Sequence, residues 1–494
     1  MLDVAIVGAG PNGLAAAVVL ARAGLQVEVF EANETIGGGA RSDTVDGVTL
    51  DWGSAVHPMA LASPFLQRFG LAERIPLVTP DASYAHPLDD RAVLAWHDIE
   101  RMPEALGDGH ARAWQRLLAP LAQRMDDLGD TVLGTMLRWP PHPVLLARFG
   151  LRTLAHGVPL GVSLPGRADR AASAYRAFGD RSLGARGRAA LAGVFAHSIS
   201  PLPRPAAAAA GLVLAAAAHA GGWPIPVGGT GRITDALRDD LLAHGGRVHT
   251  GRRIGGVEEI PASRALLFDT APDALLQIAG DRLHPRYARA LRRHRFGDAA
   301  SRVDFILNAP VPWRDADIAR TGTVHLGGGA HEIAAAERAV RRGIHPERPY
   351  VLASQPTLFD ATRAPAGTHV LWTYAHVPAG SQRDMTAQIT AQVERFAPGF
   401  RDTIVGTRVI TAADLERGNA NMRGGDIAAG RVDLRGLLAR PVLSRTPWRA
   451  GAGVYLCSAA APPGPGVHGM GGFHAAALAL REVFGIAHVP DLAP

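Results

Sequence analysis

The chain is 494 residues long, 47% hydrophobic and 19% charged, with a formal net charge of +6, so it has material for a sizeable core and about three domains. All 51 basic residues are arginine, and they are spread along the chain rather than gathered, which argues against a nucleic-acid-binding face. A single cysteine, Cys457, excludes an intrachain disulfide and any Cys-x-x-Cys motif, and a reducing cytoplasm is the simplest compartment.

The chain opens on an apolar run, Val4 to Val7, of the kind shown by a parallel strand buried on both faces. No basic leader or cleavage signal precedes it. Gly8-x-Gly10-x-x-Gly13 follows at once, and the next stretch predicts a helix from Leu14 to Ala23, ended by Gly24. A second apolar strand, Gln26 to Phe30, leads to Glu31. Each part has a physical job in holding a dinucleotide. Gly8 permits a tight turn, Gly10 lets backbone approach a pyrophosphate, and Gly13 lets helix pack on strand. The helix N-terminus offers free N–H groups and the positive end of its dipole to phosphate. Glu31, 18 residues after Gly13, can accept hydrogen bonds from ribose hydroxyls. Pro11 and Asn12 within the turn and Ala32 after the acid are read as belonging to the same cofactor site.

Further along, Trp114, Leu117, Leu118, Leu121, Met125 and Leu128 recur at helical spacing and predict an amphipathic helix over residues 108–132. Residues 138–143, with three prolines, break helix structure, and Pro201, Pro203 and Pro205 mark another boundary. Residues 206–222 are alanine-rich, too short to span a bilayer, and predict a buried helix; peripheral membrane contact stays open. Residues 247–260 read as paired strands, and residues 301–313 and 350–378 as strands of an antiparallel sheet.

The run after the acid, Gly37-Gly38-Gly39-Ala40-Arg41, resembles the second glycine signature of the FAD-binding superfamily that holds amine oxidases, phytoene desaturases and Rab GDP-dissociation inhibitors. Residues 419–448 and 453–480 resemble the phytoene-dehydrogenase-related branch, and the likeness extends over nearly the whole chain. It implies an α/β fold in which a Rossmann-like FAD-binding domain is interrupted by a mixed α+β substrate domain with an antiparallel sheet. The expected boundaries are 1–57, 225–282 and 413–494 for the FAD-binding segments, and 58–224 and 283–412 for the substrate segments. It also implies non-covalent FAD held by Gly38, Gly39, Ala40 and Arg41, by the backbone of Ile254 at adenine, by Ser458, and by Met470, Gly471 and Gly472 at the flavin. The helix from Phe473 would point its N-terminus at the flavin's pyrimidine edge. Residues 51–59 would pass near the ring.

The resemblance implies hydride transfer to flavin N5. Superfamily amine oxidases usually hold a lysine near N5 through water; this chain has none, which demotes amine oxidation. With no second glycine unit and no Cys-x-x-Cys, a nicotinamide domain and disulfide reduction are unsupported. What remains is dehydrogenation, desaturation or isomerisation of an apolar, isoprenoid- or polyketide-like molecule. A flavin amine oxidase and a non-catalytic lipid-binding protein of the GDP-dissociation-inhibitor type are the competing readings. His468 and His57 are candidate catalytic bases because imidazole titrates near neutral pH, with a structural role the alternative for each. The alanine helix, Trp223, Trp372 and Tyr374 are candidates for the pocket or for the core. No metal site is expected, and the oligomeric state stays open.

Overall fold

The computed structural model describes residues 2–157, 182–202 and 204–494; of the three boundary prolines, Pro203 lies outside the described residues. Two large sheets organise the chain. The first runs in the order Arg449–Gly451, Val454–Leu456, Ser263–Phe268, Leu2–Val7, Val27–Phe30, Arg247–His249. Every neighbouring pair is parallel except the outermost, Arg449–Gly451 with Val454–Leu456. Its central strands are buried on both faces, as their continuous apolar runs require.

The first helix, Pro11–Arg22, follows the central strand directly. Leu14 to Leu20 are wholly buried, so this helix has no solvent face. It is packed against the sheet, the Gly231–Ala243 helix and the C-terminal helix, Met470–Val483. Such crowding needs small side chains, and the helix supplies Ala15, Ala16, Ala17 and Ala21.

The second sheet runs Ile404–Ile410, Ala299–Leu307, His369–Val377, Val351–Ser354, Thr321–Leu326, Ala82–His86, Val93–Trp96. It is mixed: Thr321–Leu326 and Ala82–His86 pair in parallel, and all other neighbours are antiparallel. Helices pack on it, among them Gly184–Phe195 and the alanine helix, Pro205–Ala220, with Asp108–Ala122 packed against these helices in turn. The helix expected over 108–132 is two helices, Asp108–Ala122 and Met125–Val132, meeting at Gln123–Arg124; all six stripe residues are buried. Residues 247–260 differ from the expected strand pair. Only Arg247–His249 is a strand, pairing with Val27–Phe30; past it the chain is irregular through the glycines at 251, 255 and 256 and then forms a 3-10 turn, Val257–Glu259.

Buried ionic contacts join the two lobes. Asp51 accepts from Ser42 Oγ at 2.6 Å, from the Thr230 N–H at 2.8 Å and from Arg363 Nη1 at 2.6 Å. Its carbonyl accepts from Trp372 Nε1 at 2.8 Å. Arg363 is fully buried and also pairs with Asp360. Removing one partner of such a pair strands the other charge, so this junction is rigid.

The tightest packing lies between the first and last helices. A Cβ on Gly472 would fall on the carbonyl oxygen of Asn12, and one on Gly471 would lie 2.5 Å from that of Cys457. A methyl group at Gly472 must therefore push the first and last helices apart. Gly472→Ala is expected to lower the melting temperature by roughly 5 °C or more. Gly109→Ala, where a Cβ meets nothing within 4 Å, should leave it unchanged or raised. Thermal denaturation of the two variants measures the contrast; equal melting temperatures would refute this reading of the interface.

Candidate active site

The glycine turn occupies the C-terminal end of the central strand, as in nucleotide-binding α/β folds. Gly8 has φ +101, and a Cβ there would lie 2.5 Å from the Asp269 carbonyl. A Cβ on Gly10 would lie 2.5 Å from the Asp269 carboxylate, and one on Gly13 would strike the carbonyl of Gly8. Asp269 Oδ2 accepts from the Gly13 N–H at 2.8 Å. The first helix thus has one orphan N–H satisfied internally, while that of Asn12 has no partner among the described residues. Glu31 is buried; its Oε2 accepts from the Ala9 N–H at 2.8 Å, and its Oε1 from the backbone and side chain of Asn33 at 2.9 Å.

A cavity of about 330 Å³ runs from these loops toward the second sheet. At one end it is lined by Gly10, Pro11, Asn12, Gly38, Gly39 and Ala40, and along its side by Asp269 to Ala271, Asn419, Met422 and Ser458. The far end is formed by Val56, His57, Met59, Leu214, Tyr374 and His197. Of the aromatic candidates, Tyr374 reaches the cavity, as does Leu214 of the alanine helix. Trp223 is instead packed on Tyr84 and His197, and Trp372 is tied to Asp51.

Other expected site residues lie outside that lining. Gly8, Gly13, Glu31 and Ala32 stand behind it in the turn and at the strand end. Arg41 stacks on Trp52, 4.0 Å from the ring centre, and its Nη1 donates to the Gly418 carbonyl at 3.0 Å. Burial lowers its pKa. Ile254 is buried on the irregular segment after Arg247–His249, and its backbone N–H and C=O take no partner among the described residues. Met470, Gly471 and Gly472 form the first turn of the C-terminal helix, which starts three residues before the expected Phe473. Gly471 N–H donates to Asn12 Oδ1 at 3.2 Å, so the head of one helix caps the other. Cys457 is wholly buried, and burial pushes its thiol well up, out of reach of thiolate chemistry.

The histidines separate by what holds them. His468 Nδ1 accepts from the Met470 N–H at 3.1 Å, so its proton is on Nε2, which faces the Gly464 carbonyl at 3.2 Å. Both ring nitrogens are taken up in holding residues 464–470. His474 Nε2 lies 2.8 Å from the Leu133 carbonyl, with its ring on Trp448. His57 lies on the cavity wall. Thr230 Oγ1 donates its one proton to the Ser54 carbonyl at 2.6 Å, so His57 Nε2, 2.9 Å away, must donate to Thr230. That leaves His57 Nδ1 unprotonated.

Asp269, Asn421 and His197 carry no sequence signal of their own. Asn421 fastens the strand end, accepting from the Ala271 N–H at 2.8 Å and donating to the Asp269 carbonyl at 2.9 Å. Burial pushes Asp269 up to about 7, against the pull of the Gly13 N–H. Only proximity in the folded chain brings Asp269 and Asn421 to the glycine turn and His197 to the cavity's far end.

The glycine turn at a helix N-terminus, the acid on the next strand, the second glycine run and the unpartnered backbone of Ile254 together fit FAD. The chain is an FAD-dependent oxidoreductase, similar to phytoene-desaturase-like proteins and flavin amine oxidases. Residues 6–69 match the family described as NAD(P)-binding Rossmann-like domain. Pyridine nucleotide-disulfide oxidoreductase domain-containing protein 2 of Rattus norvegicus is 25% identical, across 97% of this chain and 94% of its own length. Hydroxysqualene dehydroxylase of Sinorhizobium fredii is 32% identical over 168 residues, 29% of this chain and 38% of that one. Among solved structures, putrescine oxidase bound to putrescine superposes with a TM-score of 0.58 at 16% identity, covering 99% of both chains.

Burial holds His57, His86, His219 and His468 at about 4 and His197 at about 3, so each is neutral in the folded protein. In the unfolded chain they take up a proton near pH 6.5. Their folded pKa values are depressed, so the unfolded state binds more protons between about pH 6.5 and pH 4. Stability is expected to fall steadily through that window on acidification. Melting temperatures in a buffer series check it; a flat profile down to pH 4 would contradict the buried neutral rings.

Proposed function

We propose that the chain dehydrogenates, desaturates or isomerises an apolar small molecule at the far end of the cavity. Bound FAD supplies hydride acceptance and return at the flavin ring. The observation that carries the reading is the single cavity joining the nucleotide loops to an apolar end walled by Val56, Met59, Leu214 and Tyr374. Gly10, Pro11 and Asn12 are assigned to the pyrophosphate, Glu31 to ribose, and the Ile254 backbone to adenine. Gly38 to Ala40 and Ser458 line the path of the cofactor. The head of the C-terminal helix, bonded to Asn12, is assigned to the flavin, where such a dipole favours added negative charge by about 0.3–1 kcal/mol. His57, with its bare Nδ1, is assigned to the substrate side, and His468 to holding the loop.

The name of hydroxysqualene dehydroxylase supports an apolar substrate, through similarity over 29% of the chain. Putrescine oxidase is alike in fold, but the carboxylates on the cavity, Asp269 and Asp426, are already engaged by backbone N–H groups. The lysine that superfamily amine oxidases usually hold near flavin N5 is absent from the chain. The complete dinucleotide site argues against a purely lipid-binding role.

Purified protein is expected to be yellow and to bleach anaerobically with an apolar alcohol or alkene but not with putrescine. Absorbance spectra decide it. Colourless protein that takes up no FAD on reconstitution would overturn the reading, and bleaching by putrescine would move it to amine oxidation.

A further inference from the structure

Behind the cavity's far end lies a buried chain of imidazoles that the reading above does not use. His197 follows the Gly184–Phe195 helix and lines the cavity. Its Nε2 lies 2.9 Å from Nε2 of His325, which is wholly buried on the Thr321–Leu326 strand. His325 packs between Tyr84 and Tyr350. His86 completes the set on the neighbouring strand. Burial keeps all three rings neutral.

Their protons can be followed one by one. His86 Nε2 lies 2.7 Å from the Gly328 carbonyl. A carbonyl only accepts, so Nε2 holds the proton and His86 Nδ1 is bare. The Nδ1 atoms of His86 and His325 are both buried without a hydrogen-bond partner, and both border Gly193. A Cβ built there would lie 2.9 Å from the first and 3.1 Å from the second. His325 is assigned its proton on Nδ1, on the side of the bare His86 nitrogen, because the other tautomer sets two lone pairs beside one void. His325 Nε2 is then the acceptor, and His197 Nε2 must donate to it. The only ring nitrogen His197 has left is Nδ1, and it is a lone pair.

We infer that His197 is the polar anchor of the cavity, and that it accepts a hydrogen bond from a hydroxyl group carried by an otherwise apolar substrate. This deepens the apolar-substrate reading and rests on it. His57, whose Nε2 donates to Thr230, offers the same bare Nδ1 on the same cavity, so the site presents two acceptors and no donor from these rings. These two rings offer an ether or a carbonyl no proton; the hydroxyls on the cavity belong to other residues, Ser54 and Thr270 among them. Tyr374 supplies apolar surface at the same end. Trp223, edge-on to His197 at 5.6 Å, fixes the plane of the ring.

The test is calorimetric binding to the FAD-loaded protein, with the flavin held reduced so that no turnover intervenes. The probes are farnesol, its methyl ether, and the hydrocarbon of the same skeleton. Farnesol is expected to bind about tenfold more tightly than the other two, the worth of one buried hydrogen bond. His197→Leu should bring all three within about twofold while leaving the hydrocarbon's affinity as it was. An ether that binds as tightly as the alcohol overturns the proton assignment, and with it the anchor. So does a His197→Leu protein that keeps its preference for the alcohol. Equal binding of all three by the unaltered protein removes the anchor and leaves the apolar pocket standing. Binding of none removes both. The comparison on the unaltered protein needs no variant to fold.

Discussion

The nucleotide lobe depends on how closely other backbone approaches the opening turn of the first helix. On one side stands the end of the Ser263–Phe268 strand, with Asp269 against Gly8, Gly10 and Gly13. On the other stands the first turn of the C-terminal helix, with Gly471 and Gly472 against Cys457 and Asn12. Each of these five glycines would place a Cβ within about 2.5 Å of a neighbour, closer than real Cβ contacts come. The two ends of the chain are thereby locked on one turn. The lock also handles the polar groups: Asp269 takes the Gly13 N–H, and Asn12 Oδ1 takes that of Gly471. What remains free at the helix head is what an anion needs.

That arrangement carries an electrostatic cost, and Asp269 bears it. Its carboxyl is buried beside the turn assigned to a dinucleotide's phosphates, with Glu31 contributing further negative charge. Burial raises its pKa to about 7, so near neutral pH it is in part protonated. A half-neutral acid can keep its bond from Gly13 while repelling a phosphate less than a full carboxylate does. The same logic applies at the far end of the cavity, where burial keeps the histidines neutral and lets them act through lone pairs rather than charge.

The first forty residues were legible because every element of the dinucleotide motif is local: strand, turn, helix, strand and acid follow one another. The buried alanine helix and the amphipathic stripe around Trp114 were legible for the same reason, as periodicity is a local property. The glycines at 471 and 472 announced a close approach, but not to what. Their neighbours, Asn12 and Cys457, are a tertiary fact. His197 and Asp269 were silent because their importance lies in where distant strands bring them. The irregular backbone at Ile254 reads as a second strand in sequence, since alternating polar and apolar residues do not reveal that three glycines interrupt the ladder.

The two lobes meet at Asp51, and the cavity wall is set from that joint. Asp51 fixes the Thr230 N–H, and Thr230 Oγ1 in turn gives its proton to Ser54 and receives that of His57. On its other oxygen Asp51 holds Arg363, anchored by Asp360, whose Oδ2 also accepts from the Gly228 N–H at 2.7 Å. The buried carboxylate thus ties the second sheet to the first and holds Thr230 in place, while the Ser54 carbonyl, by taking the Thr230 hydroxyl proton, sets which nitrogen of His57 is bare. For His197 the corresponding group is the Gly328 carbonyl, which fixes the His86 proton beside which that of His325 is assigned. Neither ring's proton is set by the cavity itself. Each is set by backbone behind it, so the hydrogen-bonding character of the site is built into the fold before any ligand arrives.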